Sequence, residues 1–209
     1  MAEQTHNRLD RRKARTRAAL VRAAQTCIAE GRTAIPILEI TQLADVGMGS
    51  FYNHFETREQ LFQTAVEDAL ETFGDALDAL GDDIEDQAEV FARSFRLTGR
   101  LHRRQPELSK VLLHNGLLLA GTGQGLARRA RRDIAEAVRA GRFTEVRDLD
   151  LALVVVTGAM LTLGQLLHDH PDRDDAQAAD LVAEDLLRMF GVEAAEAADI
   201  CLRPLPGLS

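Results

Sequence analysis

Apolar residues recur along the chain at spacings of three and four, the period of an amphipathic helix. The first such stripe runs from Asp10 to Glu30 and ends at Gly31, a residue typical of a helix C-terminus. A Thr-x-x-Gln capping box at Thr57–Gln60 begins a longer stripe that continues to Leu80. The pattern predicts helices over 10–30, 37–44, 48–53, 57–80, 84–104, 106–119, 124–141, 148–168 and 174–190.

The remaining tail, from Gly191 to Ser209, contains Pro204 and Pro206. Prolines and a chain end favour loose packing or fraying, which is what we predict for this segment.

Composition supports a helical fold and excludes sheets. The 209 residues include 31 Ala and 30 Leu, against 5 Pro, 8 Phe, 1 Tyr and no Trp. Ala and Leu are strong helix formers, whereas strands need β-branched and aromatic runs that are absent from this sequence. Apolar residues make up 45% of the chain and charged residues 28%, as in soluble globular proteins. The predicted fold class is all-α.

The sequence predicts a cytoplasmic protein. Met1–Arg17 is polar and basic, which argues against a signal peptide. The uncharged stretch Leu151–Leu167 is short for a membrane span of about 20 residues and contains Gly, Thr and Gln, so a helix buried inside the protein explains it better. Cys27 and Cys201 stand outside any metal-binding or redox motif and are predicted to be reduced, buried thiols.

Charge is distributed unevenly. Residues 1–32 carry eight basic and three acidic side chains, whereas residues 61–209 carry 16 basic and 26 acidic ones, and the formal net charge is −8. A basic end on an acidic body is common where one end meets a polyanion, although a solvated helix face would give the same basic run.

Two short helices joined by the tight segment Asp45–Gly47 follow the basic helix, an arrangement typical of a helix-turn-helix DNA reader. Gly47 and Gly49 allow a close approach of the backbone to DNA. The side chains of Ser50, Tyr52 and His54 can donate to phosphate oxygens, and Arg58 adds a cation at the start of the next helix.

The stretch Ile40–Phe55, ITQLADVGMGSFYNHF, followed by ETREQL, resembles the helix-turn-helix of the TetR family of bacterial repressors. The resemblance is specific over about 13–73, with the motif itself at about 36–55. Asp45 stands where the family has Gly, Gly47 where it has a capping Ser, and Arg58 where it has Lys. The DNA-binding residues are predicted to be Thr41, Met48, Gly49, Ser50, Tyr52, Asn53, His54 and Arg58.

The resemblance implies a DNA-binding domain at 1–57 and a helical effector-binding and dimerisation domain at 58–209. It also implies a homodimeric repressor without a cofactor, released from a pseudo-palindromic DNA operator by a small molecule. The helix over 58–80 would carry the signal. An all-helical enzyme is one alternative, but no nucleophile with a base stands out. A DNA-binding protein without an effector is the other.

The helix over 84–104 carries an apolar stripe that turns polar at one end, formed by Phe91, Phe95, Thr98 and His102. Such a stripe fits a small-molecule cavity and equally an ordinary core that ends at the surface. The resemblance favours the cavity, because family members enclose their inducer between these helices. Leu112, His114 and Asn115 are added as candidate lining residues, and the few aromatics favour an aliphatic or modestly polar ligand.

Specific binding needs two recognition helices about 34–36 Å apart, so we predict a twofold-symmetric dimer. Small and apolar residues on the last two predicted helices suit a four-helix interface: Gly158, Ala159, Thr162, Ala179, Val182, Ala183, Leu186 and Phe190.

Three further segments have simpler explanations. Gly121–Gly125 lacks the strand and the Lys of a phosphate-binding loop and is predicted to connect two helices. His168–Asp175 is rich in metal-ligand types, but caps and a solvated turn explain it, and no metal site is predicted. Arg128, Arg129, Arg131 and Arg132 are predicted to form an ion-paired surface, with an anionic effector as the alternative.

Overall fold

The computed structural model describes residues 2–81, 84–110, 112–113 and 125–207, and within these ranges every regular element is helical. The helices are α1 (Ala2–Ala29), α2 (Ile37–Leu43), α3 (Met48–Tyr52), α4 (Arg58–Gly81), α5 (Gln87–Arg104), α6 (Gly125–Arg139), α7 (Leu149–Asp169), α8 (Asp175–Met189) and α9 (Ala194–Leu202). Residues 106–110 are also helical. The predicted all-α fold class is confirmed.

The tail prediction is wrong, because α9 forms after Gly191. The Glu193 carboxylate caps α9 by accepting hydrogen bonds from the backbone N–H groups of Ala195 (2.8 Å) and Glu196 (3.2 Å). Ala197, Ile200 and Cys201 are buried by the helix. Pro204 and Pro206 follow the last turn of α9 instead of interrupting it.

Contacts divide the chain into an N-terminal unit, Met1–Ala69, and a C-terminal unit, Leu70–Ser209. The divide falls within α4, whereas the predicted boundary at 57/58 lies at the start of that helix. The core of the N-terminal unit combines α1 with both short helices and the start of α4, through Leu20, Ala24, Cys27, Ile28, Ile40, Phe51, Phe55 and Leu61.

The start of α4 confirms the predicted cap, with one change. The Thr57 hydroxyl accepts a hydrogen bond from the Gln60 N–H at 3.0 Å. The Gln60 side chain, in turn, accepts from the N–H of Glu56 at 2.7 Å, one residue before the position that a regular capping box uses.

In the C-terminal unit, α5 is central and packs against α6, α7, α8 and α9. Phe91 lies edge-on to Phe143 and Phe190, at centroid distances of 5.4 and 5.7 Å. Gly99 allows α5 to approach α8 closely, since a Cβ there would lie 2.7 Å from the Cβ of Ala179. Cys27 and Cys201 are unpaired and buried, as predicted.

Candidate nucleic-acid interface and effector site

The turn between α2 and α3 is a Schellman motif. Asp45 has φ of 52°, in the left-handed region, and its N–H bonds the Gln42 carbonyl at 3.1 Å. The Val46 N–H bonds the Thr41 carbonyl at 3.0 Å, which completes the motif. Asp45 is the only residue other than glycine with positive φ in the part of the chain that the structure describes.

Asp45→Gly is expected to raise the free energy of unfolding by about 0.5–1 kcal/mol, because glycine adopts positive φ without a Cβ clash. Asp45→Ala keeps the Cβ but loses the tolerance of Asp for this conformation, and should lower stability instead. Urea unfolding of both variants measures the difference. Equal stability of the two variants would contradict strain at this turn.

Gly47 is the N-cap of α3 and, having no side chain, makes no capping hydrogen bond. A Cβ added at Gly47 or Gly49 would meet nothing within 4 Å, so the backbone there is open to an approaching molecule. Phe51 and Phe55 hold α3 from beneath and are almost fully buried, as predicted. The fold therefore presents one face of α3 outward and anchors the other.

The predicted DNA-contacting side chains separate into three groups. Met48 and Tyr52 are 40% and 60% exposed, and Asn53 is also exposed. Ser50 and His54 are half-buried beside them. Thr41, however, is 1% exposed and donates its hydroxyl to the Leu38 carbonyl at 2.8 Å. The Thr41 side chain therefore stabilises α2 from within the core and is not part of the candidate interface.

Positive charge lies beside α3. Burial lowers the pKa of His54, and the neighbouring charges of Arg17 and Lys13 lower it further. The Arg17 guanidinium lies over the Phe55 ring at 5.2 Å from its centroid. Arg17 and Lys13 are exposed and stand four residues apart on α1, so they share a face with the candidate interface. Both residues were counted among the basic side chains of residues 1–32 but were not included in the predicted site. Their spacing of four residues indicates that they share one face of the helix.

Arg58 occupies the first turn of α4, as predicted. Its guanidinium donates to the Ile35 carbonyl at 3.4 Å and pairs with Glu59 at 2.8 Å. The side chain remains 35% exposed, so it is held in place while part of its charge still faces solvent.

The predicted effector residues are distributed along α5. Phe91 and Phe95 belong to the hydrophobic core of the C-terminal unit. The Thr98 hydroxyl donates to the Ser94 carbonyl at 2.7 Å. His102 and Leu112 are buried, whereas His114 and Asn115 lie outside the described residues. Among the described members of this predicted effector set, only His102 has its side chain in a polar cluster.

That cluster consists of His102, Ser109 and His168. The Ser109 Oγ lies 2.6 Å from Nδ1 of His102 and 3.1 Å from Nε2 of His168. Burial lowers the pKa of His102 to about 4, so the imidazole is neutral near pH 7. Gly164 faces the ring closely, and a methyl group there would overlap it. Ser109 and His168 were absent from the predicted site because Ser109 lies beyond the end of α5 and His168 lies on α7, so both contacts depend on tertiary packing.

The predicted dimer residues fall on two different faces. Ala179, Ala183, Leu186 and Phe190 lie in the core of their own chain, where α8 packs on α5. Gly158, Ala159 and Val182 are half-buried, and Thr162 is exposed. The structure instead exposes large apolar side chains on α7 and α8, which we call the apolar face: Leu151, Val154, Val155, Leu166, Leu181 and Met189.

Among the described residues, α7 is the one helix long and apolar enough to cross a membrane, with 28% of its most apolar window buried. A single helix of this kind is weak evidence for a membrane span, since helices of soluble proteins meet the same criteria.

The arginines at the start of α6 form an ion-pair network with the C-terminal half of α4. Arg129 is 6% exposed and pairs with Glu71 (3.0 Å), Asp75 and Asp78 (2.8 Å). The hydrogen bond from Arg129 lowers the pKa of Glu71. Arg132 pairs with Asp78 and Asp133, and Arg128 with Glu71. The predicted ion pairing is present, but Arg129 is interior and not on a surface.

The remaining candidates have structural roles in the described part of the chain. Asp174 caps α8 by accepting from the Gln177 N–H at 2.9 Å, and Arg103 donates to the carbonyls of His170 and Pro171. No group of three His, Cys, Asp or Glu side chains is arranged for a metal among the residues described. Gly125 begins α6 with φ of 57°, and the rest of Gly121–Gly125 lies outside the described residues.

Helix α3, the second helix of the helix-turn-helix, faces outward, α1 carries a cationic face, and the C-terminal unit is larger and helical. Together these features define a DNA-binding transcriptional regulator. Comparison with known proteins supports this class of protein. The profile of the tetracyclin repressor-like C-terminal domain matches residues 86–203, more than half of the chain. The chain belongs to the TetR family and is a ligand-responsive transcriptional regulator.

Solved structures provide close relatives over nearly the whole chain. RolR in complex with resorcinol is 37% identical, with a TM-score of 0.75, covering 95% of this chain and 99% of that one. RolR without ligand is 38% identical, with a TM-score of 0.78 and coverage of 92% and 100%. FadR from Bacillus subtilis with stearoyl-CoA is 17% identical (TM-score 0.67, coverage 82% and 98%), which shows the fold alone. No curated protein matches the sequence.

Proposed function

We propose that the protein is a homodimeric repressor in the cytoplasm that binds a pseudo-palindromic operator and leaves it when a small molecule binds in the C-terminal unit. The observation that carries this proposal is the exposed face of α3, where Tyr52 is 60% exposed, together with Arg17 over the Phe55 ring and the partly exposed Arg58. A major groove accepts such a helix, and the cations neutralise the flanking phosphates.

The apolar face supports the dimer. Leu151 and Val154 on α7 are 64% and 66% exposed, and Leu181 on α8 is 55% exposed. Monomeric soluble proteins rarely expose contiguous apolar surface, and one recognition helix reads only a few base pairs. A second copy of the chain on this face would cover it and place two reading helices on one frame.

We infer that the effector acts through a population shift. Helix α4 begins with Arg58 beside the reading helix and ends in the C-terminal unit, where Glu71 and Asp78 are held by Arg129. An effector that prefers a dimer whose reading helices no longer match successive grooves would release the operator.

Resorcinol is the first effector to test. RolR is crystallised with it and is 37% identical to this chain over nearly its full length. The resemblance to FadR carries no argument about the ligand, because at 17% identity it reaches only to the fold.

Tyr52→Ala and Arg58→Ala are expected to weaken binding to operator and random duplex alike. Losing one phosphate contact at Arg58 should also reduce the slope of log K against log salt by about 0.9. Met48→Ala and Asn53→Ala, which alter side chains aimed at base edges, should change the preference among operators instead. Fluorescence anisotropy with both duplexes at several salt concentrations tests this.

Asp199→Ala, at an exposed position on α9 in the C-terminal unit and outside the apolar face, serves as the control and should leave every affinity unchanged. If all four interface variants lost equal affinity for operator and random DNA, the division between phosphate and base contacts would be wrong. If none of them lost affinity, the α3 face would not be the interface.

A further inference from the structure

The cluster of His102, Ser109 and His168 contains a polar atom that the fold itself leaves unused. His102 is 2% exposed and Ser109 is fully buried. The imidazole Nδ1 of His102 is engaged by Ser109, but its Nε2 has no hydrogen-bond partner among the described residues. Burial lowers the pKa of His102, and the Met160 backbone raises it against this larger effect.

The proton count in the cluster restricts what Nε2 can do. The Ser109 hydroxyl has one proton and lies between two imidazole nitrogens, so it donates to one of them and accepts from the other. If Nδ1 of His102 carries the proton, Nε2 is an acceptor. If Ser109 donates to Nδ1, Nε2 carries the proton and is a donor. In both cases one buried hydrogen-bonding function stays unpaired, and such groups are rare in folded proteins.

The rest of the site holds the ring in place. Gly164 on α7 leaves room for the imidazole and no more, because a methyl group there would overlap it. His168, on the same helix as Gly164, fixes Ser109 from the other side at 3.1 Å. The leucines near these residues along the chain, Leu101, Leu108, Leu112 and Leu167, are also buried, so the cluster lies in the interior of the C-terminal unit. The unused nitrogen is therefore a fixed polar atom in this interior, and small-molecule sites combine a few such polar atoms with a mostly apolar lining.

We propose that Nε2 of His102, held by Ser109 and His168, binds a hydroxyl group of a small, uncharged phenol or alcohol. A hydroxyl both donates and accepts, so it satisfies Nε2 in either tautomer. A carboxylate or an ammonium group would bring a charge that a neutral imidazole leaves uncompensated in an apolar surrounding. This inference rests on the proposed effector response and assigns the chemical group that the site recognises.

Isothermal titration calorimetry of the full-length protein tests the assignment with matched probes. Resorcinol and phenol carry hydroxyls, whereas m-xylene and toluene replace them with methyl groups that neither donate nor accept a hydrogen bond. We expect the wild type to bind the hydroxyl compounds at least about tenfold more tightly than their methyl analogues. His102→Phe, which retains a ring but lacks Nε2, should remove this preference. Ser109→Ala, which releases the ring, should reduce it.

Arg104→Met is the control on the same helix. Arg104 is exposed at the end of α5, whereas His102 is buried, so its replacement should leave the preference for hydroxyl compounds unchanged. Wild-type protein without preference for hydroxyl over methyl compounds, or a preference retained in His102→Phe, would overturn the proposal.

Thermal unfolding without ligand distinguishes recognition from a structural role. In His102→Phe, Ser109 keeps its contact with His168 and an unpaired buried nitrogen disappears, so the Tm should be no lower than that of the wild type. A clearly lower Tm would identify His102 as structural. If the wild type bound none of the four probes yet still bound its upstream DNA, the hydroxyl proposal would fail and the proposed function would stand. Loss of DNA binding itself would refute the proposed function.

Discussion

Replacing Val154 with glutamate is expected to split the dimer into monomers and to lower operator affinity by at least about 100-fold, because two linked reading helices bind far more tightly than one. Val154 is 66% exposed, near Leu151 and Val155 on the outward side of α7. The twofold axis would bring both copies of the new carboxylate into the apolar face, where burying unpaired charge opposes association. The fold of each chain should persist, since the side chain has no role in its own core.

Sedimentation velocity and operator titration of Val154→Glu measure the two effects. Leu202→Glu is the matched control, because Leu202 is 82% exposed on α9, in the same unit, and lies outside the apolar face. It should stay dimeric and bind the operator normally. A Val154→Glu protein that remained dimeric, or a Leu202→Glu protein that dissociated equally, would show that the interface lies elsewhere.

Arg129→Met is expected to lower the free energy of unfolding by about 2 kcal/mol. Removing one partner of a buried ion pair usually leaves an uncompensated charge at large cost. Here Glu71 and Asp75 are 43% and 72% exposed and regain water, so the loss should be smaller than for a fully buried pair. Gly74→Ala should act in the same direction, because the new Cβ would lie 2.5 Å from the Arg129 guanidinium carbon.

Arg128→Met provides the comparison within the same network. Arg128 also pairs with Glu71 but is 60% exposed, and exposed pairs contribute about 0–1 kcal/mol. Urea unfolding should therefore separate two arginines that are adjacent in sequence. Equal losses for Arg128→Met and Arg129→Met would mean that burial of Arg129 contributes nothing to stability.

Short-range rules made the N-terminal unit predictable. The helix period located α2 and α3. The sequence alone also shows that Asp45 occupies a position where the family has glycine, and the φ of Asp45 is 52°. Thr41 was misassigned because a motif match indicates a position in the family and not a side-chain direction. Ile40 and Thr41 are both buried, so the inward face of α2 includes a polar residue that its type alone does not reveal.

The C-terminal unit was less predictable, because an apolar stripe in the sequence does not indicate which surface packs against it. Ala179, Ala183, Leu186 and Phe190 form a regular stripe on α8, and this stripe packs in the core of its own chain. The acidic residues Glu71, Asp75 and Asp78 share one face of α4, a signal that would have predicted the interior position of Arg129. The contact of His102 with Ser109 and His168 depends on tertiary packing and is not indicated by any local sequence pattern.

We propose that the exposed face of α3 reads duplex DNA as half of a symmetric pair. A nuclease footprint of the full-length protein on the DNA upstream of its own gene tests this claim most directly. We predict one protected region containing two inverted half-sites, with centres about 34–36 Å apart or a multiple of this distance. Absence of any protected region, or protection spread uniformly along the DNA, would contradict the claim.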